Sequence, residues 1–241
     1  MKKILLLLLT LTFSFTSNAQ IQKTLDQLSQ LSSKINGTGN VDIASGLKEA
    51  LNKGITKQVS KLTAEDGFYK NEAVKILMPE ELQRVDATLR KIGLSSLADE
   101  GIKAMNRAAE DAVKEATPIF VSAVKNMSFT DAKNILLGNE SAATSYLQNS
   151  TTTALYSKFN PVIKTSFEKV GADVIWTNII KKYNTIPLVR KVNPDLTDYT
   201  TNQALAGVFK MIAVEEKDIR TNINARTSPL LKKVFAMQDK K

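Results

Sequence analysis

Apolar residues recur at steps of three and four along almost the whole chain, and that period restricts the fold to helices. Ile43, Leu47, Leu51, Ile55, Val59 and Leu62 form one such stripe. Ile21, Leu25, Leu28, Leu31 and Ile35 form another ahead of it, and NGTGN, Asn36 to Asn40, separates the two. Asp42 is placed to cap the second helix. Glu65 to Glu81 is the least helical part: Asp66-Gly67 reads as a turn and Val74 to Ile76 as a short extended piece. Pro79 then opens a helix with Leu82, Val85, Leu89 and Ile92 inward and Gly93 as its stop. A longer run from about Ser95 to Asn126 is expected to kink or divide at Pro118. SFTD, Ser128 to Asp131, resembles a capping box and starts a short helix ending at Gly138.

The spacing predicts another helix from Ser141 to Gly171, broken or kinked at Pro161, and one over 172–183 carrying the single tryptophan, Trp176. Two prolines make Asn184 to Asp195 a loop. Asp198 or Thr200 begins a helix running to about Arg220, and Ser228 with Pro229 opens the last one. No row of alternating strands and no long linker interrupts this order. The expected fold is all-α: a single-domain bundle of roughly eight to ten helices over 41–241, preceded by the amphipathic helix and Gly-containing break of 20–40.

The first residues, MKKILLLLLTLTFSFTSNAQ, pair Lys2 and Lys3 with an apolar run from Ile4 to Phe15 and small residues at Ser17 and Ala19. That is the layout of a secretory signal peptide over residues 1–19. The run is well short of the ~20 apolar residues needed to span a bilayer, and no cysteine follows it to take a lipid. The expected destination is the periplasm, reached by export and without a lipid anchor. Cleavage would remove two lysines and no acid from a chain of net charge +9. An exported basic protein is not expected to meet nucleic acid. An apolar or anionic ligand, an envelope protein or contact with a membrane surface are the candidate partners. Cysteine and histidine are both absent, which excludes disulfides, Ser-His-Asp and Cys-His nucleophile systems, and His- or Cys-held zinc or haem. No cofactor and no metal site is expected; DGFYKN, Asp66 to Asn71, lacks the ligand spacing of a calcium loop.

Polar residues at helix boundaries are what remains. In MNRAAEDAV, Met105 to Val113, a helical wheel turns Met105, Ala109 and Val113 inward with Ala98, Ile102, Ala112, Ala116 and Phe120. Asn106 and Glu110 fall on the edge of that face, and Arg107 lies further toward solvent. In the helix ending at Arg220, Leu205, Val208, Phe209, Ile212 and Ile219 define the apolar face, and Glu216 falls near its centre. A carboxylate there needs a partner: Arg220, one turn on, is the local one, and Arg107 and Arg226 are distant ones. Two facing carboxylates, Glu110 and Glu216, would instead offer an acid and a base. IRTNINARTSP, Ile219 to Pro229, either caps carbonyls with its arginines or offers them to a phosphate or carboxylate. Asn106, Arg107, Glu110, Glu216, Arg220 and Arg226 are therefore the candidate polar centre or binding residues, and none is assigned as catalytic.

EDGFYKNEAVKI, MNRAAEDAV, IFVSAVKNMSFTDAKNILLGNESAATSYL and EEKDIRTNINARTSPLLKKVF, in this order, resemble the bacterial domain-of-unknown-function family numbered 4197. The resemblance runs from about Ile43 to Ala236 and implies an exported, all-helical protein with no assigned activity. The expected function is a non-enzymatic ligand-binding or protein-interaction module of the cell envelope. The alternatives are a carboxylate-based hydrolase of envelope glycan using Glu110 and Glu216, and a protein of anionic membrane surfaces.

Overall fold

The structure, a computed structural model, describes residues 43–239 except 92, 94 and most of 172–194; the side chains of 81, 85, 88, 89 and 97 are also left aside. All described residues belong to a compact unit that spans Asp42–Lys241. The signal-peptide stretch, the first stripe, the side chains of Val85 and Leu89, Ile92, most of the 172–183 helix including Trp176 and most of the 184–195 loop lie outside the described residues.

Among the described residues every regular element is helical. Helix α1 covers 43–63. Seven further helices follow: α2 Gln83–Lys91, α3 Ser95–Val113, α4 Ala116–Asn126, α5 Phe129–Leu137, α6 Ala142–Val170, α7 Leu196–Thr221 and α8 Pro229–Phe235. With α1 they make eight α-helices among the described residues, and most of the helix expected over 172–183 lies outside those residues. Single 3₁₀ turns, Glu80–Leu82 and Ile223–Ala225, precede α2 and follow α7. The α1 stripe is buried from Leu47 to Leu62, with Ile43 half-buried.

Helix α6 is the hub, packing on α7 and α3 and, more lightly, on α4 and α5. Its buried side chains step by four: Ala143, Leu147, Thr151, Leu155, Phe159, Ile163 and Phe167. At 3.6 residues per turn such a row drifts by about 40° per step, so α6 turns a different side inward at each level and can serve several neighbours. Phe120 on α4 meets Phe209 on α7 edge-on, with ring centroids 6.0 Å apart.

The local chemistry corrects several expectations. The division near Pro118 falls earlier, at Lys114 and Glu115, where the chain takes i→i−3 turns before α4. Pro118 then occupies the third helical position, where no N–H is needed and where its ring avoids the carbonyl four residues back. Helix α6 runs unbroken through Pro161, held on both sides by Leu155, Phe159, Ile163 and Phe167. Helix α7 begins at Leu196, because the Asp195 carboxylate caps the amides of Thr197 and Asp198. Of the short extended piece expected over Val74 to Ile76, Val74 lies in a turn, and Lys75 and Ile76 run in irregular backbone. Ser128 and Asp131 do form a reciprocal capping box, and Ser228 caps α8 with Pro229 behind it.

Candidate functional site

The polar residues of α3 hold down the irregular stretch 64–79, called here the strap. Phe68, Val74, Ile76 and Met78 anchor it in the core. Its sharpest bend is at Asp66, whose φ of 67° is left-handed, a conformation that a short polar side chain tolerates. Asn106 is wholly buried and spends its carboxamide on two residues: Oδ1 accepts the Ile76 amide at 2.8 Å, and Nδ2 donates to the Ile76 carbonyl at 2.8 Å and to the Ile102 carbonyl of its own helix at 2.7 Å. Ile76 is paired as in a sheet, with a side chain in place of the neighbouring strand. Glu110, 4% exposed, accepts the amides of Phe68 at 3.0 Å and Tyr69 at 3.3 Å through Oε1. Its Oε2 takes Arg107 at 2.6 Å. The same guanidinium reaches Asp66 at 2.6 Å and Glu65 at 3.2 Å. Asn106 and Glu110 thus lie deeper than the helix edge on which the wheel sets them.

On α7, Glu216 faces the start of α6. Ser141 is the N-cap residue there, yet its side chain makes no capping bond. Glu216 supplies it instead, accepting Ala143 N–H at 2.9 Å, Thr144 N–H at 2.8 Å and the Thr144 hydroxyl at 2.7 Å. A carboxylate at this end also meets the positive pole of α6. Arg220 completes the pair at 2.8 Å and donates to the carbonyls of Ile135 at 2.8 Å and Leu136 at 3.3 Å, closing the end of α5. Arg226 turns away from Glu216. It donates to the Ile219 and Arg220 carbonyls at 3.0 and 2.9 Å and grips Asp239 with both terminal nitrogens. The arginines of IRTNINARTSP cap carbonyls in this way.

The six sequence-predicted residues therefore form two networks. One joins Asn106, Arg107 and Glu110 to the strap; the other joins Glu216, Arg220 and Arg226 to three helix ends. Glu110 and Glu216 do not share a network, and each is engaged by its own arginine. Sequence reasoning missed Glu215, buried beside Glu216, which accepts Lys57 at 2.7 Å and Gln58 at 2.5 Å from α1. It also missed Gly207, where an added Cβ would sit 2.8 Å from the Phe68 ring. The adjacent acids Glu215-Glu216 and a glycine inside a helix were the available signals.

Among the described residues no group of acids could hold a metal ion, and no helix is long and apolar enough to cross a membrane. The space between α1, α7 and α8, lined by Leu51, Ile55, Ile212, Glu216 and Phe235, amounts to about 30 Å³. An open groove of about 440 Å³ lies outside, where Asp111 of α3 faces Pro161, Val162, Thr165, Ser166 and Lys169 of α6. The family model described as a protein of unknown function (DUF4197) matches residues 37–236. The chain belongs to that family. The match takes in the strap, both clamps and α8, so all six candidate residues are family-domain residues. No curated protein and no solved structure matches the chain.

Next to the groove, the N-terminal half of α6 has an unusual surface. From Ser141 to Ser157 it carries no charge in a chain with 33 basic and 24 acidic residues. Gln148, Asn149, Ser150, Thr152, Thr153 and Ser157 are exposed. Several hydroxyls are spent on their own helix: Ser150 donates to Tyr146 O, Thr152 to Gln148 O and Ser157 to Thr153 O. The face is polar but cheap to strip of water, because part of its hydrogen bonding is already internal.

Proposed function

We propose that this member of the DUF4197 family is an exported, non-enzymatic protein-interaction module of the cell envelope, and that it meets its partner through α6. The observation that carries this reading is the uncharged, exposed face from Ser145 to Ser157 beside the open groove. Protein interfaces are depleted of charge at their centre. On a strongly basic chain, a neutral face of this length suits a partner surface that is itself neutral and hydrogen-bonding.

The interior supports the same choice. A ligand held between helices needs roughly 300–1,000 Å³, and the space beside Glu216 is about 30 Å³. Glycan hydrolysis needs two working carboxyls across an open cleft. Glu110 and Glu216 are instead saturated by backbone amides and arginines.

The test is photo-crosslinking in living cells from a benzoylphenylalanine placed at Thr153 or Ser166. One discrete adduct with an envelope protein is expected, and it should vanish when Thr152 and Ser157 are both changed to Arg in a chain that still folds. Equal yields from unrelated surface positions would overturn the reading. So would a small molecule retained by protein purified from its own host, seen by native mass spectrometry.

A further inference from the structure

The ends of α5, α7 and α8 meet the start of α6, and two buried arginines tie them together. Arg220 donates to the Ile135 and Leu136 carbonyls at the close of α5, to Glu216, which caps α6, and to the Gln238 side chain beyond α8. Arg226 bonds the last carbonyls of α7 and grips Asp239.

Around this junction three large apolar side chains are left in water: Leu137, 39% exposed, Met237, 41% exposed, and Ile223, 62% exposed. Leu136 and Gln238 bond the same nitrogen of Arg220, which sets Leu137 and Met237 on one small surface. Ile223 opens the 3₁₀ turn that leaves α7, three residues on from Arg220. The other large apolar side chains exposed among the described residues are dispersed over the strap, α4, α6 and α7.

Cations stand just behind these tips. Lys133 precedes Leu137 by one helical turn, Lys232 and Lys233 precede Met237, and Lys217 lies on the last turns of α7; all four are exposed. From Lys217 to Lys241 the sequence holds seven basic and two acidic residues, a net +5 of the chain's +9. The acids at this end are engaged: Glu216 by Arg220, Asp239 by Arg226, Glu140 by Lys217 and Asp218 by Asn222. The Lys217–Glu140 pair is exposed on both sides and holds Lys217 only weakly.

We propose that this end of the bundle rests on an anionic lipid surface, with Leu137, Ile223 and Met237 entering the headgroup layer and Lys133, Lys217 and Lys232 facing lipid phosphates. Apolar tips ahead of cations repeat the order of layers at a bilayer surface, and lysine stems are long enough to keep their charge outside. A stable protein partner needs roughly 800 Å² of continuous cover. Here exposed Asn139, Thr221, Asn222 and Asn224 separate the tips. Such polar residues keep their hydrogen bonds in a hydrated headgroup layer and would lose them at a dry interface. The neutral face of α6, Ser145 to Ser157, runs away from this end and stays accessible.

The test is sedimentation of the chain with vesicles of phosphatidylcholine containing one-third phosphatidylglycerol, at low and high salt. Binding is expected at low salt and not to vesicles of phosphatidylcholine alone. Changing Leu137, Ile223 and Met237 together to Ser should lower the partition coefficient by about tenfold or more. Changing Lys133, Lys217 and Lys232 to Gln should lower it roughly fivefold per lysine. Val121→Ser with Val214→Ser, on other surfaces, should leave it within about twofold. The chain has no cysteine, so an environment-sensitive fluorophore on Ile223→Cys reports this end alone. Its emission should shift to the blue on these vesicles, and the same fluorophore on Ser60→Cys, toward the other end of α1, should not shift. Absence of binding at low salt would overturn the proposal. So would binding that the lysine changes abolish and the serine changes leave intact, which is adsorption by charge alone. A dimer in light scattering that the serine changes dissociate would give these apolar residues to a second copy and overturn it as well.

Discussion

Glu216 accepts the backbone amide of Thr144 at 2.8 Å, and so a residue of α7 performs the capping that the residue at the head of α6 does not. The same logic governs the strap, where Asn106 takes both backbone groups of Ile76. In both places a long helix lends a buried polar side chain to backbone that has no neighbour of its own. Buried N–H and C=O groups must be paired somewhere, and this fold pairs them across elements. The Glu216–Arg220 pair gains from this arrangement: its lone pairs and protons are satisfied by main chain as well as by each other.

Replacing Glu216 by Ala should therefore cost about 3–5 kcal/mol, because Arg220 is left buried and unpaired. The double change Glu216→Leu with Arg220→Met removes both charges. In many buried pairs that swap is close to neutral. Here it should still cost about 2 kcal/mol or more, because the amides of Ala143 and Thr144 and the carbonyls of Ile135 and Leu136 lose their partners. Urea denaturation followed by far-UV circular dichroism measures both. A double variant as stable as the natural chain would show that the backbone contacts contribute little.

Asn106→Ala should cost roughly 2–4 kcal/mol, the sum of two orphaned backbone groups at Ile76. The loss should be local in character. Hydrogen exchange at the Ile76 amide should quicken far more than exchange at Ala112 in the same helix α3. Uniform quickening across α3 would mean that Asn106 supports its own helix through Ile102 O rather than the strap.

Much of this was legible in the sequence because periodicity reports on faces. The all-helical class, the buried stripe of α1, the inward position of Glu216 and its pairing with Arg220 at one turn all follow from a period of 3.6. What the wheel could not supply was the second layer. Asn106 reads as an edge residue until the strap covers it, and no local pattern says that 64–79 lies there. Ser141 reads as the cap of α6 because its type and position are right; the cap comes from a residue 75 positions on along the chain, which local sequence does not encode. The start of α7 shifted for a simpler reason: Asp195 competes with Asp198 as a cap, and both are good ones.

Acid should weaken the turns before it weakens the core. Lys70, and beyond it Arg107, hold the Asp66 carboxyl below its ordinary value of 3.8. The Ser128 hydroxyl and amide do the same for Asp131, and Arg226 for Asp239. A carboxyl lowered in the folded state stabilises it in full above the ordinary value, and that contribution fades as pH falls through the lower, folded value. These three groups therefore give a flat stability between about pH 5 and 7 and a decline below about 4. The urea midpoint measured across that range should show this shape. Changing all three to Asn should flatten the acid limb, and an unchanged limb would place the titrating groups elsewhere.

The packing of the strap on α7 can be tested at Gly207. Alanine there would favour the helix by about 1 kcal/mol, and its Cβ would meet the Phe68 ring at 2.8 Å and Val74 Cβ at 3.3 Å. Phe68 is wholly buried, so the ring has no room to retreat. Overpacking of this kind costs roughly 1–3 kcal/mol, and the net effect of Gly207→Ala should be a loss of about 1 kcal/mol. Phe68→Leu alone should be more damaging, since it opens a cavity. Combined, the two should be less harmful than their sum, because the smaller side chain admits the added methyl. A double-mutant cycle should give a favourable coupling of about 0.5–1.5 kcal/mol. Strict additivity would mean that Phe68 and Gly207 are not in the contact that seats the strap on α7.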